Sequence, residues 1–152
     1  QSLYGISKDA LRNAVELLCK QNNVIFQWLR GYYIVGNTKD GSSIFSKIIV
    51  AASEGKTEFP FTMGLNQFDF TNYEEFCESV ALTSSQSEVN GIINICSGRP
   101  EKLADRVERF IEENNLNISL KYGAFPDRPY DSKAVWGSNY KLSLIRENLK
   151  SN

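Results

Sequence analysis

Amphipathic helical segments alternate with short apolar segments along this chain, and the series begins with a helix rather than a strand. Apolar residues recur at helical spacing over 4–20, and the apolar run 24–29 that follows predicts a buried strand. A second apolar run, 91–96, predicts another strand. This alternation favours an α/β fold with a parallel sheet. Because the strands are few and a helix comes first, we expect the 152 residues to be the C-terminal part of a longer protein.

Further elements follow from apolar periodicity and turn residues. A second helix is predicted over 44–52, with Gly55 just beyond its end. Short strands are predicted within 57–70, around a turn at Gly64, and a half-buried strand at 117–122. The stretch 123–136 is expected to be irregular.

Three more helices are predicted in the second half of the chain. Asn72 and Glu75 form a capping-box pattern before one of them, and Pro100 suits the first position of the next. The apolar stripes expected on these helices are Tyr73, Phe76, Cys77 and Val80, then Leu103, Val107, Phe110 and Ile111, and finally Leu142, Ile145 and Leu149.

The composition excludes several classes of site. The chain contains no histidine, which removes Ser-His-Asp and Cys-His nucleophiles and histidine-based metal sites. Seventeen basic and eighteen acidic side chains give a net charge of −1, without a basic stripe that would favour a nucleic-acid partner. Acid–base chemistry must therefore come from Tyr, Lys, Asp, Glu or Cys.

The cysteines and the hydropathy indicate a cytoplasmic protein. Cys19, Cys77 and Cys96 are widely separated and odd in number, so we expect free thiols rather than disulfides or a metal site. No apolar run approaches the roughly 20 residues that span a bilayer, and no leader pattern is visible at the start of the sequence. We therefore expect no membrane partner.

Tyr4 and Lys8 form the sharpest chemical pattern in the sequence. Residues four apart lie on the same face of a helix, roughly 5–6 Å apart at Cβ. An ammonium group beside a phenol favours the phenolate and lowers the pKa of the phenol from its usual value of about 10. Such a pair can exchange a proton with a hydroxyl or carbonyl oxygen.

The order of landmarks after this pair resembles the C-terminal half of the extended short-chain dehydrogenase/reductases, the NAD-dependent epimerase/dehydratase family that modifies nucleotide sugars. The landmarks are the segment 29–36 with sequence LRGYYIVG, then Gly64, Asp69-Phe70, the segment 94–98 with sequence NICSG, and Arg128 with Asp131. The resemblance covers nearly the whole chain. It implies a Rossmann-type α/β fold, with the last Rossmann elements interleaved with a small substrate-binding lobe across 1–152.

The resemblance also implies a cofactor site for NAD or NADP. Tyr4 matches the catalytic tyrosine of the family, and Lys8 matches the lysine that tunes it and bonds the nicotinamide ribose. The backbone segment that passes the nicotinamide contains Gly31, Tyr32 and Tyr33. The glycine-rich turn that holds the cofactor pyrophosphate is absent from this sequence and would precede it, as would the serine or threonine that assists the tyrosine.

Four positions are implied to contact the substrate: Tyr33, Asn37, Asp69 and Arg128. Arg128 matches the late arginine that holds the substrate pyrophosphate, a task suited to a guanidinium fork. The chain departs from the family pattern at three places. Phe68 replaces the arginine before Asp-Phe, Tyr33 replaces a common asparagine, and Asn37 replaces a common proline.

The expected function is therefore that of an NAD(P)-dependent nucleotide-sugar epimerase or dehydratase, with Tyr4 as acid/base, inactive as this fragment alone. We also expect a homodimer, because the family commonly pairs the helix that bears the tyrosine. One alternative is a 4-keto-sugar reductase of the same family. The other is a non-catalytic dinucleotide sensor or interaction module, although such a protein has no need of a tuned tyrosine.

Overall fold

A computed structural model describes residues 2–126 and 132–150 of the chain. Within them lie five helices: α1 (Leu3–Gln21), α2 (Ile44–Ser53), α3 (Tyr73–Ser84), α4 (Leu103–Glu113) and α5 (Tyr140–Lys150). The same residues form nine short strands: β1 (Gln27–Gly31), β2 (Tyr33–Val35), β3 (Glu58–Pro60), β4 (Gln67–Phe68), β5 (Phe70–Asn72), β6 (Gly91–Ile95), β7 (Glu101–Lys102), β8 (Ser119–Lys121) and β9 (Ala134–Val135).

Most of the strand pairing is parallel, as the alternation of elements predicts. β1 pairs with β6, β2 with β5, and β3 with β8, each in parallel orientation. β4 lies between β9, which is parallel to it, and β7, which is antiparallel. Parallel partners need long crossover connections, so every pair joins distant parts of the sequence.

Two apolar cores divide the described residues. The lobe core lies between α2, α4 and the short strands, and consists of Val35, Phe45, Ile48, Ala51, Phe61, Phe70, Val107, Phe110 and Ile118. The sheet core lies between β6 and α5, and consists of Ile93, Ile95, Leu142 and Ile145, with Leu29 of β1 and Phe76 of α3 packed against it. β1, β2 and the bend between them therefore run along the boundary of the two cores.

α1 stands outside both cores. Its bounds match the predicted helix within one residue at each end, and the Ser2 hydroxyl caps it by accepting a hydrogen bond from Gly5 N at 3.1 Å. None of its residues is buried, and its apolar side chains Leu3, Leu11 and Leu18 are at least half exposed.

The strand predicted from residue 24 begins three residues later, at Gln27. Val24 N donates to Cys19 O, which closes the end of α1, and Asn23 adopts a left-handed conformation with φ of 53°. Val24 and Ile25 are consequently exposed, because they belong to the helix exit rather than to the sheet.

The predicted apolar stripe of α3 is also partly wrong. Tyr73 and Cys77 are exposed, whereas Ser79 and Thr83 are buried. Both polar side chains have partners: Thr83 Oγ1 donates to Ser79 O at 2.8 Å, and Arg146 of α5 donates to Ser79 Oγ at 3.0 Å. Hydrogen bonding within the contact between α3 and α5 therefore offsets the cost of burying polar groups.

The predicted start of α3 is confirmed although its predicted capping bond is absent, and the predicted start of α4 is wrong. Asn72 is the N-cap of α3, but its side chain makes no capping bond and instead accepts from Arg106 at 3.0 Å. Arg106 is buried, with its guanidinium 5.8 Å from the Phe45 ring centre. Pro100 is not the first residue of α4, because β7 comes between it and the helix start at Leu103.

A buried carboxylate joins the segments on both sides of the β1–β2 bend. Asp69 has no exposed surface, and its two oxygens accept hydrogen bonds from Ser97 N at 2.7 Å and Gly98 N at 2.9 Å. Gly137 N approaches the same carboxylate at 3.5 Å. The backbone of Asp69 accepts from Tyr33 N at 3.2 Å, so this residue connects four parts of the chain.

We predict that Asp69→Ala lowers the free energy of unfolding by at least about 3 kcal/mol, because two charge-assisted hydrogen bonds contribute roughly 1.5–3 kcal/mol each. Denaturant unfolding measures this change. Asp40 lies exposed in a loop, so Asp40→Ala is the matched control, expected within about 0.5 kcal/mol of the parent. A loss below about 0.5 kcal/mol for Asp69→Ala would contradict the role assigned to this carboxylate.

We also predict that Cys96 resists alkylation while Cys77, which is exposed, reacts. Burial raises the pKa of the Cys96 thiol to about 11 from an ordinary 9.0, and the nearby Asp69 carboxylate adds to the shift. The thiolate is the reactive form, so Cys96 stays unreactive until the pH approaches that value. The stability linked to this thiol is complete below pH 9 and is lost as the pH rises toward 11. Mass spectrometry after iodoacetamide treatment, with a denatured control, checks the prediction; equal labelling of the two thiols would refute it.

Candidate active site

The first two turns of α1 bring Tyr4 and Lys8 together on one face. Lys8 Nζ lies 5.8 Å from the centre of the Tyr4 ring. The ring is 73% exposed, so its hydroxyl is open to a ligand. The predicted spacing of four residues therefore gives the expected proximity in the structure.

An open cleft of about 640 Å³ separates this face of α1 from the β1–β2 segment. Its walls are Tyr4, Gly5, Lys8, Asp9, Trp28, Leu29, Arg30, Gly31, Tyr32, Tyr33 and Val135. The structure thus brings together all five residues that the sequence assigned to the cofactor, although they come from two separate elements.

Two glycines permit the close packing of the cleft floor. A Cβ atom on Gly31 would lie 2.9 Å from the Phe76 ring, so only glycine lets β1 approach α3 this closely. A Cβ on Gly137 would lie 2.6 Å from both Cζ and the hydroxyl of Tyr32. The Tyr32 ring therefore lies directly against the backbone of the segment that Asp69 holds.

The electrostatics of Tyr32 keep its hydroxyl protonated. Burial raises the pKa of Tyr32, the neighbouring Cys96 and Asp69 raise it further, and Arg30 opposes the shift. At neutral pH this phenol is a neutral hydrogen-bond donor and acceptor.

Sequence reasoning did not single out Trp28 as a cleft residue. Trp28 and Arg30 line the cleft from β1, where alternate residues point to the same side of the strand. Arg30 lies in the segment 29–36 that the resemblance places beside the nicotinamide, whereas Trp28 belongs to the run 24–29, which was predicted to be buried. Arg30 is exposed and provides a second cation near the Tyr4–Lys8 pair.

The four expected substrate residues do not share one place. Tyr33 lines the cleft. Asn37 instead lines a polar recess of about 290 Å³ beside Asn72 and Arg106, apart from the cleft. The expectation that Asp69 contacts the substrate is wrong. Its carboxylate is buried, accepts hydrogen bonds from backbone N–H groups and has no surface for a substrate. Arg128 lies outside the described residues.

A second cavity, of about 730 Å³, opens in the lobe and was not predicted. It is predominantly apolar, with Lys47 the cation among its lining residues, which are Ile44, Lys47, Phe59, Pro60, Phe61, Thr62, Asn66, Phe68, Leu103, Phe125 and Pro126. The sign of this cavity in the sequence was the number of aromatic residues in the segment 59–70, and that segment was predicted to form short strands. An aromatic cavity with a few polar groups is a typical binding site for an organic ligand.

The described residues form neither a metal site nor a membrane-spanning helix. Residues 2–126 and 132–150 contain no group of three or more Cys, Asp or Glu side chains placed to hold a metal ion. Among the helices in those residues, none combines the length and the hydropathy required to cross a membrane.

Comparison with known proteins gives a consistent set of relatives. No family model matches the chain. A curated relative, the dTDP-6-deoxy-L-talose 4-dehydrogenase (NAD(+)) of Aggregatibacter actinomycetemcomitans, is 40% identical over 136 residues, which cover 89% of this chain and 50% of the relative.

Solved structures of two enzymes share the fold. The UDP-N-acetylglucosamine 4-epimerase of Methanobrevibacter ruminantium M1 matches with a TM-score of 0.77 and 20% identity, over 93% of this chain and 46% of the epimerase. The dTDP-glucose 4,6-dehydratase of Bacillus anthracis, solved with NAD, matches with a TM-score of 0.76 and 17% identity, over 97% of this chain and 46% of the dehydratase. These matches confirm the predicted Rossmann-type α/β class. The chain is similar to the extended short-chain dehydrogenase/reductases of the NAD-dependent epimerase/dehydratase family, and it spans about half the length of the relatives that it matches.

Proposed function

We propose that this chain is the C-terminal, substrate-binding half of an NAD(P)-dependent enzyme that exchanges a hydride with a nucleotide-activated sugar. The observation that carries the proposal is the cleft in which Tyr4 and Lys8 of α1 face Gly31, Tyr32 and Tyr33. In this proposal Tyr4 is the acid/base, Lys8 tunes it, and the glycine-rich turn for the cofactor belongs to the other half of the protein.

The donor set of the cleft suits the hydroxyl-rich nicotinamide end of a dinucleotide. The Tyr4 hydroxyl, the Lys8 ammonium and the neutral Tyr32 hydroxyl can all bond ribose hydroxyls or the carboxamide. Gly31 contributes its backbone to the cleft wall, and its missing side chain leaves room for the Phe76 ring behind that wall. When bound, the nicotinamide supplies the hydride acceptor or donor.

Proton transfer then falls to Tyr4. In the oxidative direction the phenolate oxygen of Tyr4 would accept the proton of the sugar hydroxyl, and a nicotinamide held beside Tyr4 and Lys8 would supply the acceptor for the hydride from the carbon that bears this hydroxyl. In the reductive direction the phenol of Tyr4 would donate a proton to the carbonyl oxygen, and the reduced cofactor would supply the hydride. Lys8, whose Nζ lies 5.8 Å from the ring centre, is the cation proposed to assist Tyr4 in both directions.

The lobe cavity gives the substrate its second contact region. Phe59 and Phe125 provide aromatic faces on which a planar base can stack. Lys47 at the same cavity provides a positive charge for a phosphate group. The expected role of Arg128 in holding the pyrophosphate remains part of the proposal, since the sequence runs from Pro126 at this cavity into the segment that contains it.

The choice between reaction classes rests on the name of the curated relative. A dTDP-sugar 4-dehydrogenase is 40% identical to the chain, whereas the epimerase and dehydratase structures are 20% identical or less and support the fold alone. We therefore favour simple oxidation of a sugar hydroxyl, or its reversal as a 4-keto reductase, over epimerisation or dehydration. The name of that relative also favours NAD over NADP.

The exposed apolar side of α1 supports the assembly part of the proposal. Leu3, Leu11, Leu17 and Leu18 are each at least half exposed, which is costly in water. We propose that the cofactor-binding half and a second copy of the protein cover this helix in a cytoplasmic homodimer.

The central test of the proposal is Tyr4→Phe in the intact enzyme, assayed with a panel of nucleotide sugars. The phenyl ring keeps the packing and removes only the proton donor, so we predict a fall in kcat of about 10²–10⁴-fold with nearly unchanged cofactor affinity. Tyr140, which is 66% exposed on α5 and outside the cleft, gives the matched control Tyr140→Phe with unchanged turnover. Near-normal turnover by Tyr4→Phe would favour the sensor or interaction-module alternative.

In the same assay, Lys8→Met tests whether Lys8 acts on Tyr4 and the cofactor or is only a surface residue of α1. Because Lys8 both stabilises the phenolate and lines the cofactor side of the cleft, its loss should lower kcat and cofactor affinity together. Lys20→Met, in the last turn of the same helix, is the control for loss of an exposed ammonium. If both lysine variants behaved alike, Lys8 would have no special role.

A further inference from the structure

The cleft and the lobe cavity share one aromatic wall, formed by Tyr33 and Phe68. Tyr33 lines the cleft, Phe68 lines the cavity, and their ring centres lie 4.3 Å apart with the planes tilted by 30°. A ligand long enough to occupy both spaces must pass these two rings. Among the described residues, the pair Tyr33 and Phe68 is the one aromatic contact that joins a side chain of the cleft to a side chain of the cavity.

The wall is held in place from behind. Phe70, which is buried in the lobe core, lies 5.7 Å from the Tyr33 ring and 6.1 Å from the Phe68 ring, between ring centres. Tyr33 N also donates to Asp69 O, which fixes the backbone under the Tyr33 ring. Packing on a buried ring limits the movement available to the pair, so its geometry is present before a ligand arrives.

The chemistry of the wall is apolar. Phe68 offers no hydrogen-bonding atom, and the hydroxyl of Tyr33 lies at the edge of its ring, away from the aromatic face. The two rings also pack against each other, with centres 4.3 Å apart, so a ligand meets only the ring surfaces that this contact leaves open. Those surfaces favour C–H groups of a ligand, and a ligand hydroxyl pressed against them would lose its water without gaining a partner.

We propose that the Tyr33–Phe68 wall determines the sugar specificity of the enzyme by packing on the C–H face of the sugar, and that it favours a deoxy sugar over its hydroxylated counterpart. This inference rests on the proposed function, since it assumes that a nucleotide sugar spans the cleft and the cavity. An apolar site discriminates against an added hydroxyl by up to about a hundredfold, so we expect a preference between about tenfold and a hundredfold.

The experiment compares kcat/KM of the intact enzyme for two nucleotide sugars that differ only by one sugar hydroxyl. Tyr33→Asn and Phe68→Gln introduce hydrogen-bonding groups at the wall. We expect each to lower the preference for the deoxy sugar by at least about tenfold, mainly through KM, because the variants solvate or bond the added hydroxyl.

Two conservative variants show whether the preference for the deoxy sugar depends on the aromatic rings or on the Tyr33 hydroxyl. Tyr33→Phe keeps the ring and removes the hydroxyl, so the preference should remain. Phe68→Leu keeps an apolar side chain and removes the ring, so the preference should fall only in part. Circular dichroism and the thermal unfolding midpoint show that each variant is folded. Tyr140→Asn, remote from both spaces, is the control that should leave kcat/KM for both sugars unchanged.

The outcomes separate this inference from the function on which it rests. If the parent enzyme turns over the sugars and the polar variants keep its preference, the specificity role of the wall is wrong and the proposed function stands. If Tyr33→Phe abolishes the preference, the hydroxyl and not the aromatic face sets it, which also overturns the inference. If the parent turns over neither sugar nor any other nucleotide sugar, the proposed function fails and the inference fails with it.

Discussion

The buried carboxylate of Asp69 is the interaction on which the geometry of the candidate site depends. It fixes the Ser97–Gly98 turn after β6, and it is within reach of Gly137 N in the segment before α5. Through its backbone it also fixes Tyr33. Because the Tyr32 ring lies on Gly137, the floor of the cleft is built from parts that converge on this one side chain.

The site lies at the boundary between two cores, and this position has a physical reason. The sheet core holds β1 and β6 rigidly under the cleft, while the lobe core holds the aromatic residues that wall the cavity. The elements that connect these cores are short strands with long-range partners. In the proposed function a ligand contacts elements of both cores at once, with Tyr4 and Lys8 on one side and the lobe cavity on the other.

Local patterns in the sequence predicted the parts that depend on neighbours along the chain. The bounds of α1, the helix over α2 with Gly55 in a left-handed conformation beyond it, and the Tyr4–Lys8 proximity all follow from spacing within a few residues. The buried stripe of α4 at Val107 and Phe110 follows from helical period alone.

Contacts between distant segments explain what the sequence could not predict. Asp69 was expected to face a substrate, because nothing local reveals that backbone N–H groups 28 and 29 residues away would surround its carboxylate. Arg146 of α5 makes burial of Ser79 possible, which rotates α3 away from its apparent stripe. The contact of Tyr33 with Phe68 depends in the same way on how distant strands pack.

The central claim is that Tyr4 and the cleft beside it support hydride exchange between a nucleotide sugar and a nicotinamide cofactor. The most direct measurement supplies the intact enzyme with a nucleotide sugar deuterated at the carbon to be oxidised, together with oxidised cofactor, and analyses both by mass spectrometry. The account predicts that deuterium appears on the nicotinamide ring as the sugar becomes a ketone. Deuterium that remains on the sugar, or exchanges only with water, across a panel of nucleotide sugars would contradict it.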